Sequence, residues 1–212
     1  MRICCIFAGG DLEISDADRL DISRSYIICA DSGYKHIRSI GIKADVVVGD
    51  FDSYHGELPD DAEVIRTVPE KDDTDTLMAV KIAIDRGYKH IKLYGALGGE
   101  RFDHSIANIQ TMLYAHENGA EMTICGRDIL KLQTAEDGPR LYPRSSGYFS
   151  VFAITERVKI RYLRGVKYPL EKYEMLRSFP IGVSNEITDE MALLSIDEGI
   201  ALVIWQADRT EK

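Results

Sequence analysis

Cationic residues are in deficit in this chain. Lys and Arg number 26 against 35 Asp and Glu, a formal net charge of −9. Such a surface disfavours a nucleic-acid backbone or an anionic membrane as the main partner. Long apolar runs are missing too, and none approaches the ~18 residues of a membrane-spanning helix. The first residues lack the charged segment and apolar run of a secretory signal. Cysteines are few. Cys4, Cys5, Cys29 and Cys125 fall in the apolar runs "RICCIF", "YIICA" and "MTIC", and no pair has zinc-ligand spacing. They read as small core residues in a reducing, cytoplasmic setting. No repeat or low-complexity tract is present. What remains is a chain of 212 residues, 45% hydrophobic and 29% charged, enough for one large domain or two small ones with a real core.

The first half alternates short apolar runs with helical patterns. Residues 2–7, 26–30, 45–49, 62–67, 90–95 and 121–125 read as strands, several apolar at nearly every position, as strands covered on both faces are. Between them, "SGYKHIRSIG", "TDTLMAVKIAIDRG" and "DHSIANIQTMLYAHENG" read as helices ending at Gly41, Gly87 and Gly119. Their apolar faces carry Leu77, Val80 and Ile84 in one case and Ile106, Ile109 and Leu113 in another. The alternation predicts an α/β domain with a mainly parallel sheet. After about residue 126 the helical periodicity fades. "DILKLQTA", "GYFSVFAI", "VKIRYL", "IGVSNEI", "MALLSI" and "GIALVIW" follow, punctuated by Gly, Pro, Asp and Ser. This spacing predicts a smaller all-β sandwich, and the domains are set at 1–128 and 129–212.

Ligands of an open α/β sheet bind beyond the carboxyl ends of its strands, and four successive predicted strand ends carry carboxylates or glycines. Asp31, Ser32 and Gly33 follow one strand, and Asp50, Phe51, Asp52 and Ser53 the next. "KDDTDT" (71–76) and "GALGGERFDH" (95–104) each open a helix. In an extended segment Asp50 and Asp52 point the same way, with Phe51 turned into the core. Asp72 and Asp75 share a face at a helix start, with Asp73 as N-cap. Paired carboxylates on adjacent loops suit Mg²⁺, a hard cation that prefers oxygen ligands. Singly, each Asp reads equally well as a cap or turn residue. Gly98, Gly99 and Arg101 fit a phosphate-binding loop, although a plain turn explains the glycines as well, and "AGGD" (8–11) has the same double meaning. His104, beside Asp103, is the histidine expected to touch a ligand; the others read as surface or helix residues.

"DSG" (31–33), "GDFDS" (49–53), "KDDTDT" (71–76), "GGERFDH" (98–104) and "SNE" (184–186), in this order, resemble the thiamine pyrophosphokinase family. The resemblance implies a Rossmann-like domain that holds ATP and Mg²⁺, then a β-sandwich that helps form the thiamine pocket and a homodimer with sites between subunits. The implied reaction moves a pyrophosphoryl group from ATP to thiamine, leaving AMP. Residue by residue, it implies Asp50, Asp52, Asp72 and Asp75 around Mg²⁺ and the phosphates. It adds Asp103 as a further acidic residue and Arg101 on phosphate. Asp31, Ser32 and Gly33 fall on the nucleotide side, and Ser184 and Asn185 on thiamine. Tyr168, in "GVKYPL", stands where some relatives stack a Trp, and Trp205 reads as core. Rival readings are a pyrophosphokinase for another hydroxymethyl heterocycle such as a pterin, a metal-dependent phosphohydrolase, or a non-catalytic sensor.

Overall fold

The computed structural model describes residues 2–12, 14–52, 54, 56–67, 73–99 and 101–206. It divides into two compact units, residues 1–126 and 127–212.

The described residues of the first unit form six strands, β1 (Ile3–Phe7), β2 (Tyr26–Ala30), β3 (Val46–Gly49), β4 (Glu63–Arg66), β5 (His90–Tyr94) and β6 (Glu121–Cys125). They lie in the order β4-β3-β2-β1-β5-β6, and every pairing among them is parallel. Among the described residues four α-helices accompany them: α1 (Asp16–Ile22), α2 (Tyr34–Ser39), α3 (Asp75–Asp85) and α4 (Phe102–Glu117). The strands are apolar throughout because both faces are covered. Cys4, Cys5, Ile6 and Phe7 of β1 have no exposed surface, and neither do Val46, Val47 and Val48 of β3. The register pairs Phe7 with Cys29 of β2 and with Tyr94 of β5, so these three strands end level. The chain adds strands on one side of β1, then crosses to β5 on the other. The switch point of the sheet therefore lies between β1 and β5.

Three expectations for the helices of this unit need correction. The stretch before β2 forms α1, which no predicted helix covered. Its signal is a reciprocal cap, with Ser15 Oγ accepting the Asp18 N–H at 3.1 Å and Asp18 Oδ2 accepting the Ser15 N–H at 2.9 Å. The N-cap of α3 is Thr74, whose hydroxyl accepts the Leu77 N–H, and not Asp73, which pairs with Lys81 at 2.6 Å. In α4, Ile106, Ile109 and Leu113 do share a face, but it is not the buried one. Ser105, Asn108, Thr111, Met112 and Ala115 face inward, and Ile106 is 45% exposed. Small and polar residues make that inner face, and one of them serves the site described below.

The second unit contains β7 (Asp128–Thr134), β8 (Arg140–Pro143), β9 (Phe149–Ala153), β10 (Arg157–Arg164), β11 (Leu170–Leu176), β12 (Met191–Glu198) and β13 (Ile200–Gln206). All its strand pairings are antiparallel, in the orders β7-β13-β9 and β11-β10-β12-β8. Phe149, Val151, Val203 and Trp205 of the first layer join Val158, Ile160, Leu194 and Ile196 of the second in one core, a sandwich. Strands β8 and β11 were not among the predicted runs. "IGVSNEI" is not a strand but a turn-rich segment touching the sheets through two isolated bridges, Phe149 to Asn185 and Val166 to Ile187. The described residues of this unit contain no helix.

Candidate active site

β2 ends at Ala30, and Asp31 opens a 3-10 turn (Asp31–Gly33) that runs into α2. The turn passes tightly over the end of β1. A side chain on Gly33 would strike the Phe7 carbonyl, so only glycine fits there. Asp31 takes φ +45°, a conformation few non-glycine residues adopt. One strand over, β3 ends at Gly49, and Phe51 takes φ +62°. The segment is thus bent and not extended. Phe51 still packs against the core, with the Arg66 guanidinium 5.2 Å from its ring centre. The bend lets the Asp52 N–H donate to Asp50 Oδ1 at 3.1 Å.

The outcome is a three-carboxylate cluster. Asp31, Asp50 and Asp52 each place one oxygen within 4.8 Å of the other two. The convergence expected of Asp50 and Asp52 is present, through a left-handed bend instead of strand alternation, and Asp31 joins them. Asp31 Oδ1 is buried without a hydrogen-bond partner among the described residues. Burial pushes the Asp31 carboxyl up, and the charges of Asp75, Asp50 and Asp52 push it further, against a hydrogen bond from the Ser32 N–H. Unit charges some 5 Å apart repel by roughly 3 kcal/mol at an effective dielectric near 20. A cluster of this kind is stabilised by a divalent cation.

Beside it lies a cavity of 240 Å³ at the switch point. Gly9 and Gly10 line it from the β1 end, Asp31 and Ser32 from the β2 end, and Thr74, Asp75 and Thr76 from the start of α3. Gly95, Ala96, Gly98 and Gly99 of the loop after β5 close another side, with Arg101, His104 and Asn108. The residue that sequence reasoning missed is Asn108. It is 5% exposed, and its Nδ2 donates to the Ala96 carbonyl at 2.7 Å, fixing the loop from within α4. Sequence carried no signal for it, because the apolar stripe of α4 points to a different face as the buried one. His36, read from sequence as a surface or helix residue, is half-buried, and its Nε2 donates to the Gly10 carbonyl at 2.8 Å. Burial pushes its pKa down, so the neutral ring is favoured.

Asp103 is exposed and is not among the lining residues. It pairs with Arg101 at 2.6 Å, and that hydrogen bond holds its carboxyl below the usual range. Gly33 lies beneath the cavity wall, buried. Asp72 and Ser53 lie outside the described residues.

In the second unit, Asn185 is 7% exposed and spends its side chain on backbone. Its Oδ1 accepts the N–H groups of Tyr168 (3.0 Å) and Glu186 (2.9 Å), and its Nδ2 donates to the Tyr168 carbonyl at 2.9 Å. Ser184 takes φ +59°, and its N–H donates to Ser150 Oγ at 3.1 Å. Tyr168 is 61% exposed, so this arrangement presents an aromatic ring on a pinned backbone.

Comparison with known proteins identifies the family of both units. Residues 17–124 match the model of the thiamin pyrophosphokinase catalytic domain, and residues 139–201 match that of the thiamin pyrophosphokinase vitamin B1 binding domain. A thiamine pyrophosphokinase of Bacillus subtilis (strain 168) is 26% identical, covering 98% of this chain and 100% of that protein. The crystal structure of a thiamin pyrophosphokinase family protein from Enterococcus faecalis superposes with a TM-score of 0.82 at 26% identity, covering 99% of this chain and 100% of that one. That of thiamine pyrophosphokinase from Bacillus subtilis gives a TM-score of 0.85 at 24% identity, covering 98% and 100%. Matched over both its α/β and its β-sandwich units, the chain belongs to the thiamin pyrophosphokinase family.

Proposed function

We propose that this chain is a thiamine diphosphokinase that transfers a pyrophosphoryl group from ATP to the hydroxyl of thiamine, yielding thiamine diphosphate and AMP. The observation that carries the reading, beyond family membership, is the Asp31–Asp50–Asp52 cluster at the edge of a glycine-lined switch-point cavity. An acidic cleft admits a triphosphate only with metal charge between them. The donor set fits Mg²⁺: three carboxylates, one with a buried unpartnered oxygen. In this reading Asp31, Asp50 and Asp52 hold the ion, with Asp75 beside them; Asp72, outside the described residues, is assigned with them. When bound, Mg²⁺ offsets the phosphate charge and polarises the phosphoryl oxygens.

The chain's own residues supply alignment. Gly98 and Gly99 let the backbone approach the phosphates, and Arg101 grips their oxygens once it exchanges Asp103 for them. Asp75 or Asp103 accepts the thiamine hydroxyl proton late in transfer. Thiamine is cationic, so an acidic protein of net charge −9 attracts it. Tyr168, Ser184 and Asn185 are assigned to thiamine, with Asn185 acting through the Tyr168 backbone. The match of residues 139–201 to a vitamin B1 binding domain favours thiamine over a pterin. A homodimer with sites between subunits and a cytoplasmic location complete the proposal. Among the described residues no helix is long and apolar enough to cross a membrane.

The test is incubation with ATP, Mg²⁺ and thiamine, followed by chromatography. Thiamine diphosphate and AMP in equal amounts are expected. Inorganic phosphate without thiamine diphosphate would contradict the reaction.

A further inference from the structure

The loop after β5 is buried at Gly95 and Ala96, but its Gly98–Gly99 end is exposed. Gly95, Gly98 and Gly99 hold φ of +63°, +74° and +76° and carry no side chains. Glycines permit that path, but they leave the chain more freedom to lose when it orders. The loop nevertheless forms a wall of the cavity and leads directly into Arg101.

The loop after β1 holds it from the other side. The Gly10 N–H donates to the Gly95 carbonyl at 2.8 Å, and the Asp11 N–H donates to the Leu97 carbonyl at 3.3 Å. The Asp11 carboxylate then turns back on the glycines. Its Oδ2 accepts the Gly99 N–H at 3.1 Å and occupies the space that a side chain on Gly98 would need. Asp11 is exposed and is not among the residues lining the cavity. A carboxylate so near a phosphate path repels the ligand, and this one returns a charge-assisted bond to a backbone amide. It acts on the loop and not on the ligand.

We propose that Asp11 is a positioning residue that fixes the Gly98–Gly99 turn, and through it Arg101, for the phosphates of the nucleotide. The proposal rests on the reading of the cavity as an ATP site. Alanine at position 11 cannot accept the Gly99 N–H. Asparagine keeps an amide oxygen at the same reach and discards the charge, which separates anchoring from electrostatics.

The experiment is calorimetric binding of ATP with Mg²⁺ to the full chain, as wild type, Asp11→Ala and Asp11→Asn, with thermal melting of each. Asp11→Ala is expected to weaken binding about tenfold, the scale of one charge-assisted hydrogen bond. Asp11→Asn is expected to stay within about twofold of wild type, because the acceptor remains. All three are expected to melt together, since Asp11 is exposed and the core is untouched. Wild-type affinity in Asp11→Ala would overturn the proposal, and so would equal weakening in both variants or a loss of affinity that tracks a drop in melting temperature. Turnover of thiamine by the wild type is run separately. Failure there rejects the reaction and leaves the binding comparison intact.

Discussion

Asp31 combines three costs at one position: a φ of +45°, a buried carboxylate oxygen without a partner among the described residues, and a carboxyl pushed up by burial and by Asp75, Asp50 and Asp52. Strain of this kind persists where the surrounding structure enforces it and marks functional positions. Asp31→Asn is therefore expected to raise the melting temperature of the metal-free protein while lowering Mg²⁺-dependent turnover by roughly two orders of magnitude; melting with and without Mg²⁺, beside a rate assay, checks both. His36 offers a pH test apart from the Asp31–Asp50–Asp52 cluster. Its folded pKa lies below the ordinary 6.5 because burial disfavours the cation, helped by Lys35 and opposed by the Gly10 carbonyl and Asp11. The unfolded chain then binds the proton more readily. The stability His36 contributes is full above 6.5 and is lost as pH falls from there through the folded value. Replacing it with Gln keeps a donor for Gly10 and removes the titration. The difference between wild-type and His36→Gln unfolding free energies is expected to shrink as pH drops below about 6.5. A difference independent of pH would contradict this assignment.

At the scale of elements, α4 shows both what the sequence discloses and what it withholds. Its length and its end at Gly119 follow from composition, because a helix-forming run simply stops at a glycine with φ +73°. Which face turns inward does not follow, because the most apolar stripe, Ile106 among it, is left partly exposed in favour of Ser105, Asn108 and Ala115. Close packing of the helix and the bond from Asn108 to the Ala96 carbonyl decide that choice, and both depend on contacts distant in sequence. Asn108→Leu removes the bond and leaves the Ala96 carbonyl unmatched, so a loss of about 1–3 kcal/mol is expected in denaturant unfolding. ATP affinity is expected to weaken with it, because the same loop walls the cavity. Helix α1 was hidden for another reason. Its Ser15–Asp18 cap is a short signal without a long apolar repeat behind it, in a helix of only seven residues.

For the whole molecule, the alternation of apolar runs in the first half carried the α/β character, and the loss of 3.6-residue periodicity carried the all-β character of the second. Strand order was not legible, because parallel neighbours are set by crossovers, and nothing in β2 names β3 and β1 as its partners. The neighbouring places of β2 and β3 are what set Asp31 beside Asp50 and Asp52 as well as on the cavity wall. Likewise "SNE" reads as a strand from its apolar flanks. Asn185 instead makes it a turn by taking up the Tyr168 backbone, a contact across 17 residues. Convergence of the three carboxylates on one divalent cation is the claim on which the proposed chemistry depends. Anomalous diffraction from crystals grown with Mn²⁺ and a non-hydrolysable ATP analogue tests it most directly. The account predicts a peak bonded to oxygens of Asp31, Asp50 and Asp52 and in contact with the phosphates. A nucleotide bound elsewhere, or an ordered cluster carrying no peak, would contradict it.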